Sequence, residues 1–268
     1  MIKRSITFMT LALALTTLCQ AQSRKVITLS SWDFSRDGKA WQQVAVPHDW
    51  AISGPFDKKW DLQMVAIEQN GETEKTEKSG RSGALPWIGE GMYKMNWTAP
   101  KGYKRAVLVF DGAMSQPVVT VNGKEAGKWA YGYNAFRIDI TPFIQFGKKN
   151  LIEVHLNNVE ESSRWYPGGG LYRPVSVELY GNENFSTWDT FVRTLKADKQ
   201  EAEVEVNALL EGKTGKSGKT VIALLDEAGK KVAEQTVSGA TPAVKTTLKV
   251  ANPLLWSPES PYLYQVKL

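Results

Sequence analysis

A single cysteine, Cys19, stands in this sequence, with two histidines, His48 and His155. Cys19 lies inside an N-terminal targeting segment. The mature chain is therefore expected to have no disulfide, no cysteine-based metal site and no thiol nucleophile. The histidines have no metal-ligand spacing. His48 beside Asp49 makes no relay, because neighbours on an extended chain point to opposite sides. An excess of one charge is also missing. There are 33 Lys and Arg against 28 Asp and Glu, scattered singly, which argues against a nucleic-acid partner. Beyond Leu18 no apolar run is long enough to span a bilayer. No segment shows sustained helical periodicity, so no glycine-rich phosphate loop precedes a helix.

The first residues read as address rather than fold. Lys3 and Arg4 form a basic start, residues 7–18 an apolar run, and Cys19-Gln20-Ala21 a cleavage site ahead of Gln22. A signal peptide over 1–21 and a periplasmic or extracellular location are expected. Lipoprotein processing at Cys19 is disfavoured by the bulky Leu18 before it.

What remains is rich in aromatics, with 10 tryptophans and 9 tyrosines. The segments between turn signals read as strands. Residues 106–110 are apolar and end at Asp111-Gly112. Residues 118–121 meet Asn122-Gly123, the strongest short hairpin signal. Residues 124–129 return, and residues 136–140 alternate into Thr141-Pro142. Ile152, Val154 and Leu156 share one face, with Glu153 and His155 on the other. Residues 69–82 break the pattern as a polar insertion. Composition shifts near Gly181-Asn182-Glu183-Asn184, where a solvated turn is expected. Strands then resume at 202–209, 220–225, 244–250 and 262–268. The fold is expected to be all-β: a sandwich or jelly roll over 22–183, then a smaller immunoglobulin-like sandwich over 184–268. Because the sequence stops in mid-strand, either the second unit is barely complete or the parent protein continues.

The segment from Ser163 to Val175 is the most informative for function. Gly168-Gly169-Gly170 permits tight turns and close approach of other groups. With Arg164, Trp165, Tyr166, Tyr172 and Arg173 around it, the loop could stack on a flat ligand and hydrogen-bond its edges, as a sugar requires. It could equally be an inter-strand turn whose aromatics fill the core. No carboxylate pair stands out as a glycosidase acid and nucleophile, and no catalytic residue is assigned. No oxygen-ligand cluster suggests a cation, and no cofactor or metal is expected.

Five motifs, in order, resemble the N-terminal portion of glycoside hydrolase family 2, its β-galactosidase group in particular. They are Val46-Pro47-His48-Asp49-Trp50; Gly91-Met92-Tyr93-Lys94-Met95; Asn122-Gly123 followed by Tyr131-Gly132-Tyr133-Asn134-Ala135-Phe136; Ser163 to Val175; and Leu255-Trp256-Ser257-Pro258-Glu259-Ser260-Pro261-Tyr262-Leu263-Tyr264. Met92 and Lys94 depart from the family's usual Trp and Arg, which reads as repacking. The resemblance implies a galactose-binding-like jelly roll, then an immunoglobulin-like domain. It also implies a catalytic barrel that this chain lacks, which in the family hydrolyses β-galactosides or related sugars with retention. Arg164, Trp165 and Tyr166 would then contact a β-galactoside-like carbohydrate. Arg81 and Trp87 would join them from a loop that some relatives extend toward the site. Trp50, Tyr93, Tyr133, Phe136 and Trp256 are expected to be structural. A free-standing carbohydrate-binding module and a purely structural sandwich pair are the other two readings.

Overall fold

The computed structural model describes residues 24–57, 60, 87–159, 167–212, 218–239 and 242–268. Every regular element among them is a strand. No helix among them is long and apolar enough to cross a membrane.

The first sandwich is built from β1 (Lys25–Thr28), β2 (Ser31–Ser35), β3 (Gln42–Ala45), β4 (Glu90–Thr98), β5 (Arg105–Phe110), β6 (Val118–Val121), β7 (Lys124–Lys128), β8 (Phe136–Asp139), β9 (Lys149–Asn157) and β10 (Val175–Tyr180). One sheet has the order β1-β10-β5-β8, the other β3-β2-β4-β9-β6-β7, and all their pairings are antiparallel. Alternation sets the inward face. Along β9, Ile152, Val154 and Leu156 are buried while their neighbours are half-exposed. They meet Leu108, Phe110, Val177 and Leu179 of the facing sheet in one core with Trp32, Phe34 and Tyr93. Truncating a buried aromatic such as Trp32 to alanine would cost about 3–5 kcal/mol. The hairpin between β6 and β7 turns on Asn122 and Gly123, with φ of 51° and 77°. Two positive values are what a two-residue turn needs to match strand twist.

The second sandwich holds β11 (Glu183–Phe185), β12 (Phe191–Ala197), β13 (Glu201–Gly212), β14 (Lys219–Leu225), β15 (Lys231–Ser238), β16 (Ala243–Ala251) and β17 (Gln265–Lys267). Its sheets run β11-β13-β12, with β16 also on β13, and β15-β14-β17. A separate core lies between them, with Val206, Ile222, Leu224 and Leu248 at its centre.

Only Gly181 and Asn182 separate β10 from β11. The expected turn at Asn182-Glu183 is thus half right: Glu183 opens a strand paired to Gly212. Gly212 has φ +105°, and a Cβ there would lie 2.0 Å from the Asn182 carbonyl oxygen. Beside this joint Arg105 of β5 binds Asp139 at 2.9 Å and also pairs with Glu211 of β13.

Trp256 is 59% exposed, in a segment, 252–264, that carries no strand. One further expectation needs correction. The last strand is confined to Gln265–Lys267, since only there does the chain pair with β14. The polar insertion over 69–82 lies outside the described residues.

Candidate functional site

The described half of the glycine-rich loop lies against the segment that follows β3. His48 N–H donates to the Leu171 carbonyl at 2.8 Å, and Trp50 N–H to that of Gly169 at 3.1 Å. The loop is held from other sides as well. Met114 and Gly170 exchange backbone hydrogen bonds at 3.0 and 2.8 Å, and the Asn158 side-chain amide donates to the Gly168 carbonyl at 2.8 Å.

Glycine is required here by close approach. A Cβ on Gly169 would lie 2.5 Å from the Trp50 indole nitrogen. A Cβ on Gly170, whose φ is +100°, would lie 2.3 Å from the Tyr93 hydroxyl and 2.7 Å from the His48 carbonyl oxygen. The glycines therefore let an aromatic cluster come up to bare backbone.

That cluster is Phe34, His48, Trp50, Trp87 and Tyr93. Trp50 stacks on Phe34 at 5.8 Å and on Tyr93 at 6.4 Å, with interplanar angles of 22° and 20°. Trp87 tilts against Trp50 at 5.5 Å and is half-buried. The Arg36 guanidinium sits 4.7 Å from the Trp87 ring centre. It also donates to the Trp50 carbonyl at 3.0 Å and to that of Gly54, which fixes the cation over the ring. Arg36 was not singled out from the sequence. The only local signal was the Asp37-Gly38 turn beside it.

His48 Nδ1 lies 2.8 Å from the Tyr93 hydroxyl. Burial lowers the imidazole's pKa; the Asp49 charge opposes this and the Arg36 charge adds to it. Burial raises that of the Tyr93 phenol. Burial thus favours the uncharged form of both groups, which pack as a hydrogen-bonded pair. Asp49 Oδ1 accepts from the Ala51 N–H at 3.0 Å, which caps the turn that follows. The Trp50 indole N–H is buried and has no hydrogen-bond partner among the described residues.

Of the residues named from sequence, Trp87 is therefore placed in an aromatic and cationic cluster at the glycine loop. Arg81, Arg164, Trp165 and Tyr166 lie outside the described residues. Trp50, Tyr93 and Phe136 are buried at 1%, 0% and 2% exposure, as expected of structural residues. Among the described residues no three His, Cys, Asp or Glu side chains gather as a metal site. Of the cluster's rings, Phe34, Trp50 and Tyr93 are buried while His48 and Trp87 are partly exposed, so the site presents the Trp87 indole and a fixed guanidinium.

Residues 186–268 match the family model described as Glycosyl hydrolases family 2. A beta-galactosidase of Bacteroides ovatus is 32% identical over 234 residues, covering 84% of this chain and 26% of its own length. A beta-glucuronidase of Formosa agariphila is 25% identical over 264 residues, covering 87% of this chain and 25% of its own. Among solved structures, a glycosyl hydrolase family 2 member from Bacteroides cellulosilyticus superposes with a TM-score of 0.72 at 30% identity, over 90% of this chain and 32% of that one. The chain thus spans about a quarter of the length of the curated relatives it matches. Sequence and fold agree in this assignment: the chain belongs to glycosyl hydrolase family 2 and corresponds to a portion of those longer proteins.

Proposed function

We propose that this chain is the non-catalytic, carbohydrate-facing part of a β-galactosidase-like enzyme of family 2. Its jelly roll, over residues 22–183, lends loops to a sugar site. The immunoglobulin-like unit over 184–268 joins it to the portion of the relatives that this chain does not cover, where the acid and nucleophile belong. The observation that carries this reading is the cluster in which the Arg36 guanidinium lies over Trp87, Trp87 tilts against Trp50, and Trp50 packs on the Gly169–Gly170 backbone. It gives a ring face and a donor beside the loop that also contains Arg164, Trp165 and Tyr166. Arg81 precedes Trp87 in the same segment and completes the contact set. Relatives that act on β-galactosides and β-glucuronides make a β-linked sugar the ligand class. The basic and apolar start of the chain supports export by a signal peptide.

Two assays test this. Residues 22–268 should not turn over nitrophenyl β-galactoside or nitrophenyl β-glucuronide. Calorimetry should detect weak galactoside or glucuronide binding that Trp165→Ala and Trp87→Ala reduce, because half a pocket leaves polar groups solvated. Robust turnover by this chain alone would sink the non-catalytic assignment. Binding indifferent to both substitutions would sink the site.

A further inference from the structure

We propose a second carbohydrate-binding surface on the first sandwich: a groove floored by the Trp129 indole and flanked by Tyr131 and Gln116. It encloses about 530 Å³ and is lined by Gln116, Val118, Lys128, Trp129, Ala130 and Tyr131. That volume falls in the roughly 300–1,000 Å³ range of small-molecule sites. The size therefore favours a compact ligand over a second copy of the chain.

The platform is built, not incidental. Phe110 and Phe136 stack at 4.6 Å, and Phe136 and Trp129 at 5.6 Å, both with interplanar angles of 6°. Trp129 is the outermost of three parallel rings. Its inner face is occupied by Phe136, and the residue remains 39% exposed. Its indole N–H donates to Asn134 Oδ1 at 3.0 Å, which fixes the ring and leaves its face for a ligand.

The loop beyond it is braced by the glycine-rich motif. The Tyr172 hydroxyl donates to the Gly132 carbonyl at 3.0 Å, and Arg173 donates to the carbonyls of Tyr133 and Asp111 at 2.9 and 3.2 Å. Gly132 is packed so closely that a Cβ would lie 2.5 Å from Met114 Sδ. On the opposite wall, Ser115 is tied to Asn157 by bonds of 2.9 and 2.6 Å, which holds the adjoining Gln116. An aromatic surface held this firmly loses little conformational freedom on binding.

The ligand must match a flat apolar floor with an amide and an ammonium at its rim. A pyranose does so: its C–H face lies on the indole, and its hydroxyls reach the Gln116 amide and Lys128. A purely aromatic ligand would leave both rim groups unused.

Strand register also relates the groove to Trp87. Glu90 of β4 lies opposite Asn157 of β9, His155 opposite Val118 of β6, and Val118 opposite Lys128 of β7. The start of β4 and the end of β7 are thus on one end of the sheet, three strand intervals or about 14 Å apart. An oligosaccharide could engage both tryptophans, and a single sugar could not. That reach rests on the reading of Trp87 given above, whereas the groove itself does not.

The test is titration of the whole chain with tetrasaccharides of β-linked galactose, glucose, xylose or glucuronic acid, by calorimetry and by the indole N–H resonances. At least one should bind, move the Trp129 signal, and lose about tenfold in affinity in Trp129→Ala. Because Trp129 also covers Phe136, Tyr131→Ala and Gln116→Ala serve as variants that leave that stack intact, and each should weaken binding. Trp87→Ala should leave the shift of the Trp129 signal on saturation with that tetrasaccharide in place. Absence of binding by every probe would overturn the proposal. So would binding unchanged in all three groove variants, or self-association that Trp129→Ala abolishes without any effect on sugar.

Discussion

Glu178 allows a sharp test of how the first sandwich is held together. It lies on the outer face of β10 with its side chain 5% exposed, bound to Arg24 at 2.6 Å and also to Arg137 and the Tyr180 hydroxyl. Burial alone would raise its pKa. The hydrogen bonds from Arg137, Arg24 and Tyr180 outweigh that and lower it from 4.5 to about 2. The sign follows from the depressed folded value: the stabilisation is complete above pH 4.5 and is lost as pH falls toward about 2. At about 1.4 kcal/mol per unit, the shift amounts to about 3 kcal/mol at neutral pH. Glu178→Gln removes this term, and should lower the melting point of this sandwich by about 6–12 °C. Eight of the 10 tryptophans precede Gly181, so their fluorescence during urea unfolding reports mainly on this part of the chain. The gap between wild type and variant should be about 3 kcal/mol at neutral pH and close as the pH approaches about 2. Arg24→Gln, which removes a partner 52% exposed, should cost less than about 1 kcal/mol. A Glu178→Gln loss below about 1 kcal/mol, or a gap that does not narrow in acid, would refute the reasoning.

Other expectations follow from the same structure. Gly170→Ala should cost about 3 kcal/mol or more in urea unfolding, because strain at φ +100° adds to contact with His48 backbone. Gly123→Ala, with φ +77° but open space around it, should cost only about 1 kcal/mol, and equal losses would count against the close-packing argument. Asn122→Ala removes donations to Phe143 O and Asn150 Oδ1 at 2.8 and 2.9 Å and acceptance from the Leu151 N–H at 3.0 Å. About 2–3 kcal/mol and faster amide exchange at Leu151 should result. His48 titrates below its ordinary 6.5 when folded, so its contribution is present above that pH and fades on acidification. His48→Gln should flatten the decline in stability that begins as pH falls below 6.5, and an unaltered profile would show that the imidazole does not titrate where its burial implies.

Legibility in the sequence tracked burial. β6 matches, residue for residue, the strand read ahead of Asn122-Gly123, because one of its faces meets the core. β12 could not be read, since Phe191–Ala197 is exposed at every position and offers no apolar period. The triple glycine marked the candidate site, but what it accommodates could not be read from it. Trp50 and Tyr93 lie more than seventy residues away in the chain, and only the fold brings them there. Trp129 read as the last residue of a returning strand. Its role as the outer ring of a stack depends on Phe110 and Phe136, whose orientation is a property of the assembled sheets.

The joint at Gly181 and Asn182 has a consequence for how such chains can be cut and recombined. With two residues between paired strands, there is no slack to absorb an insertion. One added residue would shift β11 by a single position, turning Asn184 and Phe185 to the opposite sides of their sheet and pulling Glu211 away from Arg105. The junction is therefore a poor splice point, although it lies between two separate cores. Insertions that preserve both sandwiches should instead go into the exposed turn at Asp226–Gly229 between β14 and β15, where added length leaves the strand pairing on either side intact.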